Sequence, residues 1–395
     1  AILKRIIKKG KIMVTTKTAD NALKSYYLDA VSEQLNIGVS PLLARIKKTT
    51  ADVWGRDVRK VVRFGINGGI GAGTEDGALP MAGGNNYAQF VSTLKNLYGT
   101  IEISDKAIRA SANNEGAFVN LLNAEMDGLV RSASFNFGRM LFGDGSGVVG
   151  TITAATGTFL TLDDISGVAE GMVVDVYSND TLVAAGRTIT LVEAAEKSVV
   201  LSGDEIEGAQ GMKLVVQNSY KMELTGLKAI FARTGSLYGV NRGNNSWMLP
   251  QLVSSVGELT EQKLQYALDL VEERSGRAAN FIVCSWGVRR ALANALSKYK
   301  KIDGIELEGG YRAIAFNGIP VVADRFCPKG TLYLLNTDDF ALHQLCDWQW
   351  LEGDDGKVLR QVPGKPVYTA TLVKYAELMC TRPCGQGMMQ AITEA

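Results

Sequence analysis

Between Gly68 and Gly84 the chain reads GGIGAGTEDGALPMAGG, and the purpose of this stretch decides the fold. A glycine-rich loop holds a phosphate when its backbone N–H groups converge on the N-terminus of a helix that opens directly out of it. No helix pattern starts at Gly71 or Gly73, Pro80 and further glycines prolong the irregular region, and no Gly-Lys-Ser/Thr ending follows. The flanks are strand-like instead. On one side RDVRKVVRFG sets Val58, Val62 and Phe64 among Arg56, Arg59, Lys60 and Arg63; on the other, NYAQFVSTLKNLYGTIEIS is rich in β-branched and aromatic residues. Strand, loop and strand make a long, extended hairpin. A structureless connection beyond ~12–15 residues is uncommon in a compact domain unless it is functional. Laid across a second subunit, such a hairpin has its ordering entropy offset by contact area.

Downstream, Glu115 to Phe142 carries the strongest helical signal in the chain. Leu122, Met126, Leu129, Ala133, Phe137 and Met140 recur at three- and four-residue steps, with Asn123, Asp127, Arg131 and Asn136 on the other side. At 1.5 Å per residue such a helix reaches ~40 Å, and GDGSGVVG ends it. Upstream, Thr18 to Gln34 reads as an amphipathic helix, followed by a short extended stretch around Pro41. The first eleven residues, AILKRIIKKGK, are basic, and two readings stay open: an arm for an anionic surface, or a translated leader ahead of a true start at Met13.

From Thr151 to Gln217 the composition shifts to Val, Thr, Gly and Asp in short strand patterns, which fits a small inserted β-barrel or sandwich. EGMVVDVYS and QGMKLVVQNS resemble each other there, although one match does not establish a repeat. Beyond it the pattern becomes α/β. Thr260 caps a helix with Leu264, Ala267, Leu268 and Val271 on one face, stopped near Gly276; NFIVCS is a buried strand; Ser285 caps a helix faced by Val288, Leu292, Ala295, Leu296 and Tyr299. Asn317 and Gly318 form a hairpin turn because both tolerate positive φ.

Composition narrows the function. The chain has 395 residues, 46% of them hydrophobic, enough for two or three domains. Lys+Arg 42 against Asp+Glu 41 leaves no global field for gripping nucleic acid. No apolar run reaches the ~18 residues of a membrane helix, and the N-terminus lacks a secretory h-region. The single histidine, His343, argues against catalytic triads and His-rich metal centres. The acidic pairs Asp163 and Asp164, Glu272 and Glu273, Asp338 and Asp339, and Asp354 and Asp355 read as solvated turns or helix faces rather than catalytic dyads. Among the five cysteines, Cys284 reads as core, and Cys327, Cys346, Cys380 and Cys384 match no standard zinc spacing. No catalytic set, cofactor or metal is expected.

The order VVRFG, glycine-rich hairpin, KNLYGTIEISDKAIRAS, long helix, and an α/β module ending in NGIPVVADRFCPKGTLYLLN resembles the major capsid proteins of tailed double-stranded DNA phages and prophages. It covers most of the chain from Thr15 to about Ala391, apart from the β-rich insertion. The resemblance implies an α+β capsid fold. Residues 1–50 would be an N-terminal arm, and 51–147 the E-loop (Arg56 to Tyr98) and the spine helix of a peripheral domain. Residues 148–225 would be the inserted all-β domain, 226–362 the axial α/β domain with its connecting segment, and 363–395 the return to the peripheral domain. It further implies homo-oligomeric pentamers and hexamers of an icosahedral shell, assembled in a bacterial host's cytoplasm and ending in the virion. Scaffolding and portal proteins would be partners, and the shell would enclose double-stranded DNA without sequence specificity. Some family members join subunits through a lysine–asparagine isopeptide bond; Lys95 and Asn96 lie near the hairpin base, but nothing in the sequence identifies an acceptor. The residues expected to carry assembly are Arg56, Arg59 and Arg63, pairing with acids such as Glu125 or Asp127 on a neighbour's long helix, together with Gly71, Gly73, Glu75 and Asp76 in the loop. The alternatives are a shell of the same fold around another cargo, as in a nanocompartment or gene-transfer particle, and, less favoured, a nucleotide-binding enzyme. For the insertion alone, a carbohydrate or adhesin module stands against a bracing contact between capsomers, and the brace is preferred.

Overall fold

The computed structural model describes residues 40–106, 115–297, 304–307, 311–353 and 356–395. The helix expected over Thr18 to Gln34, Tyr299, and the pair Asp354 and Asp355 lie outside the described residues. No helix among the described residues is long and apolar enough to cross a membrane. These residues fall into two compact units, one built from Tyr98–Ser134 and Asp347–Lys374, the other from Asn36–Leu97, Phe135–Cys346 and Tyr375–Ala395.

Pro41 corrects the sequence reading at the start. The stretch around it is a short helix, Pro41–Arg45, with proline in its first turn and Leu42 and Leu43 buried. A proline's fixed φ suits the first helical position, and its missing N–H has no helical partner there in any case. The next residues, Lys47–Thr49, run parallel to Phe340–Trp350, placing Thr49 opposite the fully buried His343, whose Nδ1 lies 2.9 Å from the Ala51 carbonyl. The histidine is a strand residue of the core. Its five-stranded sheet continues through Val367–Cys380 to Arg360–Gln361, with Lys95–Ser104 also paired to Val367–Cys380.

The long helix spans Glu115–Phe142. Its buried stripe keeps Met126, Phe137 and Met140 of the expected set and adds Val130, Ser134 and Leu141; Leu129 and Ala133 are half-buried on its margin, and the side chain of Leu122 lies outside the described residues. In the first unit Leu129 packs against Gly99, where a Cβ would stand 2.9 Å from Leu129 Cδ1. Near the helix end, in the second unit, Arg139 is buried, pairs with buried Glu223 and donates to Asn136 Oδ1.

A closed six-stranded barrel follows, ordered Ser198–Leu201, Phe159–Leu162, Val148–Thr156, Lys213–Val216, Val173–Ser178 and Thr181–Glu193. Alternation turns Ile152, Leu160, Leu162, Val174, Val176, Ile189, Val199 and Leu214 inward. The two similar segments noted in the sequence are neighbouring, antiparallel strands of it. Asp175 lies opposite Val215, its own counterpart 40 positions on, so an approximate two-fold axis passes between them. The turns before them match: Gly171 and Gly211 both have φ 83, and their N–H groups donate to Ile189 and Ile152 at 2.8 and 2.7 Å. The barrel is entered and left through a paired stem, in which Lys221 N donates to Ser146 O and Glu223 N to Gly145 O.

The remaining layer is a seven-stranded mixed sheet, ordered Gln251–Val253, Gly387–Met389, Leu332–Leu335, Phe281–Cys284, Ile319–Ala323, Tyr311–Phe316 and Gly304–Leu307. Helix Glu261–Ser275 begins where Thr260 Oγ1 accepts from Lys263 N and ends at left-handed Gly276. Its Leu264, Ala267, Leu268 and Val271 join Val288, Leu292 and Cys284 in one core. Asn317 (φ 50) and Gly318 (φ 80) turn the hairpin between two strands. The C-terminal stretch 363–395 contributes strands to two sheets. Val367–Cys380 lies in the five-stranded sheet, but Gly387–Met389 inserts between Gln251–Val253 and Leu332–Leu335, since the turn through Pro383 redirects the chain. Phe340–Trp350 also belongs to the five-stranded sheet.

Candidate functional site: an extended finger and the pocket at its base

The hairpin is real and long. Asp57–Phe64 and Asn86–Thr93 pair antiparallel over eight positions, from Asp57 opposite Thr93 to Phe64 opposite Asn86. Strict alternation buries Val58, Val62 and Phe90 and leaves Arg59, Val61 and Arg63 outside. The inner face is pinned to the connecting segment: Phe64 stacks on Trp247 at 4.6 Å, Phe90 lies 5.5 Å from Tyr238, and Val91 N donates to Tyr238 O. Tyr238 is itself fixed, because its hydroxyl donates to Leu378 O and accepts from Cys380 N.

Beyond Phe64 no strand is formed, yet the two limbs of the loop stay side by side. Glycine makes this possible at one crossing: a Cβ on Gly83 would stand 2.3 Å from Gly69 N, and one on Gly69 would stand 2.7 Å from Gly83 N. Further out, Gly71 lies against Pro80 and Gly73 against Ala78, and the limbs meet in a turn closed by Gly77 N donating to Thr74 O. Glu75 and Asp76 occupy that turn. The result is a two-limbed finger whose Ile66, Ile70, Leu79 and Met81 are 86%, 86%, 90% and 89% exposed. Eleven residues from Phe64 to Glu75, at no more than ~3.3 Å each, bound its length at ~35 Å.

The expected assembly residues are distributed as follows. Arg56 and Arg59 lie 3.8 and 3.5 Å from their own Asp57, in exposed pairs that hold little energy. Arg63 has no carboxylate partner among the described residues. Glu125 is exposed on the long helix, in the other compact unit from the arginines, and the side chain of Asp127 lies outside the described residues. Lys95, for which the sequence offered no partner, stands 3.9 Å from Oε2 of Glu377. That carboxyl is fully buried, accepts from Thr225 N and Leu378 N through Oε1, and is pushed up to about 7 by burial. Asp339 is also buried, not solvated as its pair was expected to be, and burial raises its pKa against the pull of Arg382 and Arg277.

Sequence reasoning missed a pocket of about 620 Å³ beside the finger's base, lined by Lys47, Lys60, Arg63, Arg277 and Arg382 as cations and by Asp52, Asp338 and Asp339 as acids, around Val61, Val62 and Phe340. No sequence signal marks it. The cations come from four separate segments that only the tertiary fold brings together.

The fold has counterparts among solved structures. It recurs in a chain of the cyanophage A-1(L) capsid asymmetric unit, with TM-score 0.55 and 13% identity over 92% of this chain and 93% of that one. Weaker likenesses are to the capsid of a native GTA particle (TM-score 0.45, 13% identity, 89% and 90% covered) and to the holo-SrpI encapsulin complex from Synechococcus elongatus PCC 7942 (TM-score 0.44, 11% identity, 90% and 89% covered). No protein-family model and no curated protein sequence matches the chain.

Proposed function

We propose that the chain is the shell subunit of a phage-type capsid, assembling as pentamers and hexamers into an icosahedral head around double-stranded DNA. The observation that carries this reading is the finger. It holds four large apolar side chains almost wholly in water, on a ribbon with no core of its own. Burying such a side chain is worth roughly 1.5–3 kcal/mol, so a neighbouring copy that covers the finger offsets the ordering of its limbs. Arg56 and Arg59 then set register against acids such as Glu125 and Asp127 on the neighbour's helix, exchanging weak internal pairs for intermolecular ones. Gly71 and Gly73 keep the limbs thin, and Glu75 and Asp76 form the tip. The seven-stranded sheet takes the axial role, the barrel braces or decorates the shell, and scaffolding and portal proteins are the partners during assembly in the host cytoplasm. Electron microscopy and sedimentation of the purified chain test the reading: closed particles are expected, and a chain that stays monomeric at high concentration refutes it. Extracting particle contents separates a genome-bearing head from a shell loaded with protein.

A further inference from the structure

We infer that the pocket at the base of one copy's finger receives the acidic tip of the next copy's finger. This rests on the shell reading above and names the contact that would join neighbouring subunits. Five cations and three acids line the pocket. Lys60 lies 2.9 Å from Asp52 and Arg277 lies 3.6 Å from Asp339, so those charges are internally answered. Lys47, Arg63 and Arg382 are left without an ion pair among the described residues, against one remaining acid, Asp338, and all four face the same cavity. Residues 65–85 contain just two charged side chains, Glu75 and Asp76, adjacent in the turn and exposed. An excess of two positive charges therefore matches a tip carrying two negative ones, and a cavity of about 620 Å³ admits a two-residue turn.

The geometry selects a second copy as the occupant. The limbs stay side by side from Gly69 and Gly83 out to the Thr74–Gly77 turn, so they carry the tip up to ~35 Å from Phe64, while Arg63, on the pocket wall, is the residue before Phe64; a chain's own tip lies away from its own pocket. Apolar complementarity runs the same way. Leu79 and Met81 behind the tip are exposed, and so is Val61 at the pocket rim. Because tip and base are different patches of one chain, the contact is head-to-tail, and such contacts close into rings when the rotation between copies divides the circle. Arg63 thus takes a tip carboxylate as partner, leaving Arg56 and Arg59 to the neighbouring helix.

Charge exchange tests the inference. E75K/D76K and K47E/R63E should each lower particle yield at least tenfold without moving the thermal midpoint of the subunit, since all four side chains are exposed, and combining all four substitutions should restore assembly. In parallel, D76C/K47C oxidised in assembled particles should give covalent rings on denaturing gels, with D76C alone as control. Wild-type particles whose yield ignores both reversals, with no covalent ladder, overturn the tip-in-pocket contact and leave the shell reading standing. A wild-type chain that makes no particles overturns both.

Discussion

The finger and the barrel are both β-rich excursions from the main body, and they resolve the same physical problem in opposite ways. The barrel closes its hydrogen-bond ladder and turns its valines, leucines and isoleucines inward, so it carries its own core. The finger spends its glycines on bringing two limbs together and leaves its isoleucines, leucine and methionine outside. One segment is complete as a monomer. The other is complete only against another molecule. Fold stability and assembly should therefore separate cleanly when each region is mutated.

The largest effect is expected from replacing residues 66–83 with a short turn, which should abolish particles by electron microscopy while the subunit's denaturation curve stays in place; particles at normal yield would end the comparison. In the barrel, Leu214→Ala removes a fully buried side chain and should cost about 2–5 kcal/mol in chemical denaturation. Leu79→Ala, equally apolar but on the finger, should change fold stability by less than about 0.5 kcal/mol yet reduce assembly. Gly83→Ala sharpens the point at the backbone. Its Cβ meets Gly69 N, so the limbs must part, and particle yield should drop with little change in thermal midpoint.

The effect with no bearing on assembly concerns the strand that leaves the finger. Glu377, beside Lys95, sits at about 7 when folded against an ordinary 4.5. The folded state therefore keeps a proton that the unfolded state has released. This contribution is fully present below about 4.5 and is lost as pH rises through about 7. The slope is at most about 1.4 kcal/mol per pH unit. Asp324, raised to about 6 by burial beside Ser40, acts in the same sense. Glu377→Gln should flatten the fall in stability between pH 5 and 7, measured by denaturation at each pH; an unchanged slope would show that Lys95 keeps the carboxylate charged.

What was legible in the sequence was local. Thr260, Gly276, and the Asn317–Gly318 pair announce their cap and turns through chemistry that acts within a few residues, and the long helix has the expected ends because its periodicity runs over many turns. Even the resemblance between the segments at Gly171 and Gly211 had a structural meaning, since the two strands are partners. What failed depended on distant contacts. The buried helix stripe is legible at Met126, Phe137 and Met140, but Val130 and Ser134 are buried beside it while Leu129 and Ala133 are only half-buried. Pro41 suits a helix start as well as an extended strand, and burial of Leu42 decided between them. The terminal strand Gly387–Met389 found its sheet through parallel pairing with Gln251–Val253, far away in sequence. The finger's exposure could be anticipated from its glycines, whereas the cationic pocket beside it could not.

The stem of the barrel has a practical consequence. The chain rises through Gly145 and Ser146 and comes back through Lys221 and Glu223, hydrogen-bonded across the gap, so departure and arrival lie about 5 Å apart. The host fold thus sees the entire excursion as a tight loop. A foreign module with similarly close termini should therefore replace the barrel at the stem without parting the strands of the host fold, whereas a peptide spliced at Asn179 and Asp180 would break the hydrogen bonds that Tyr220 and Lys221 make to that turn.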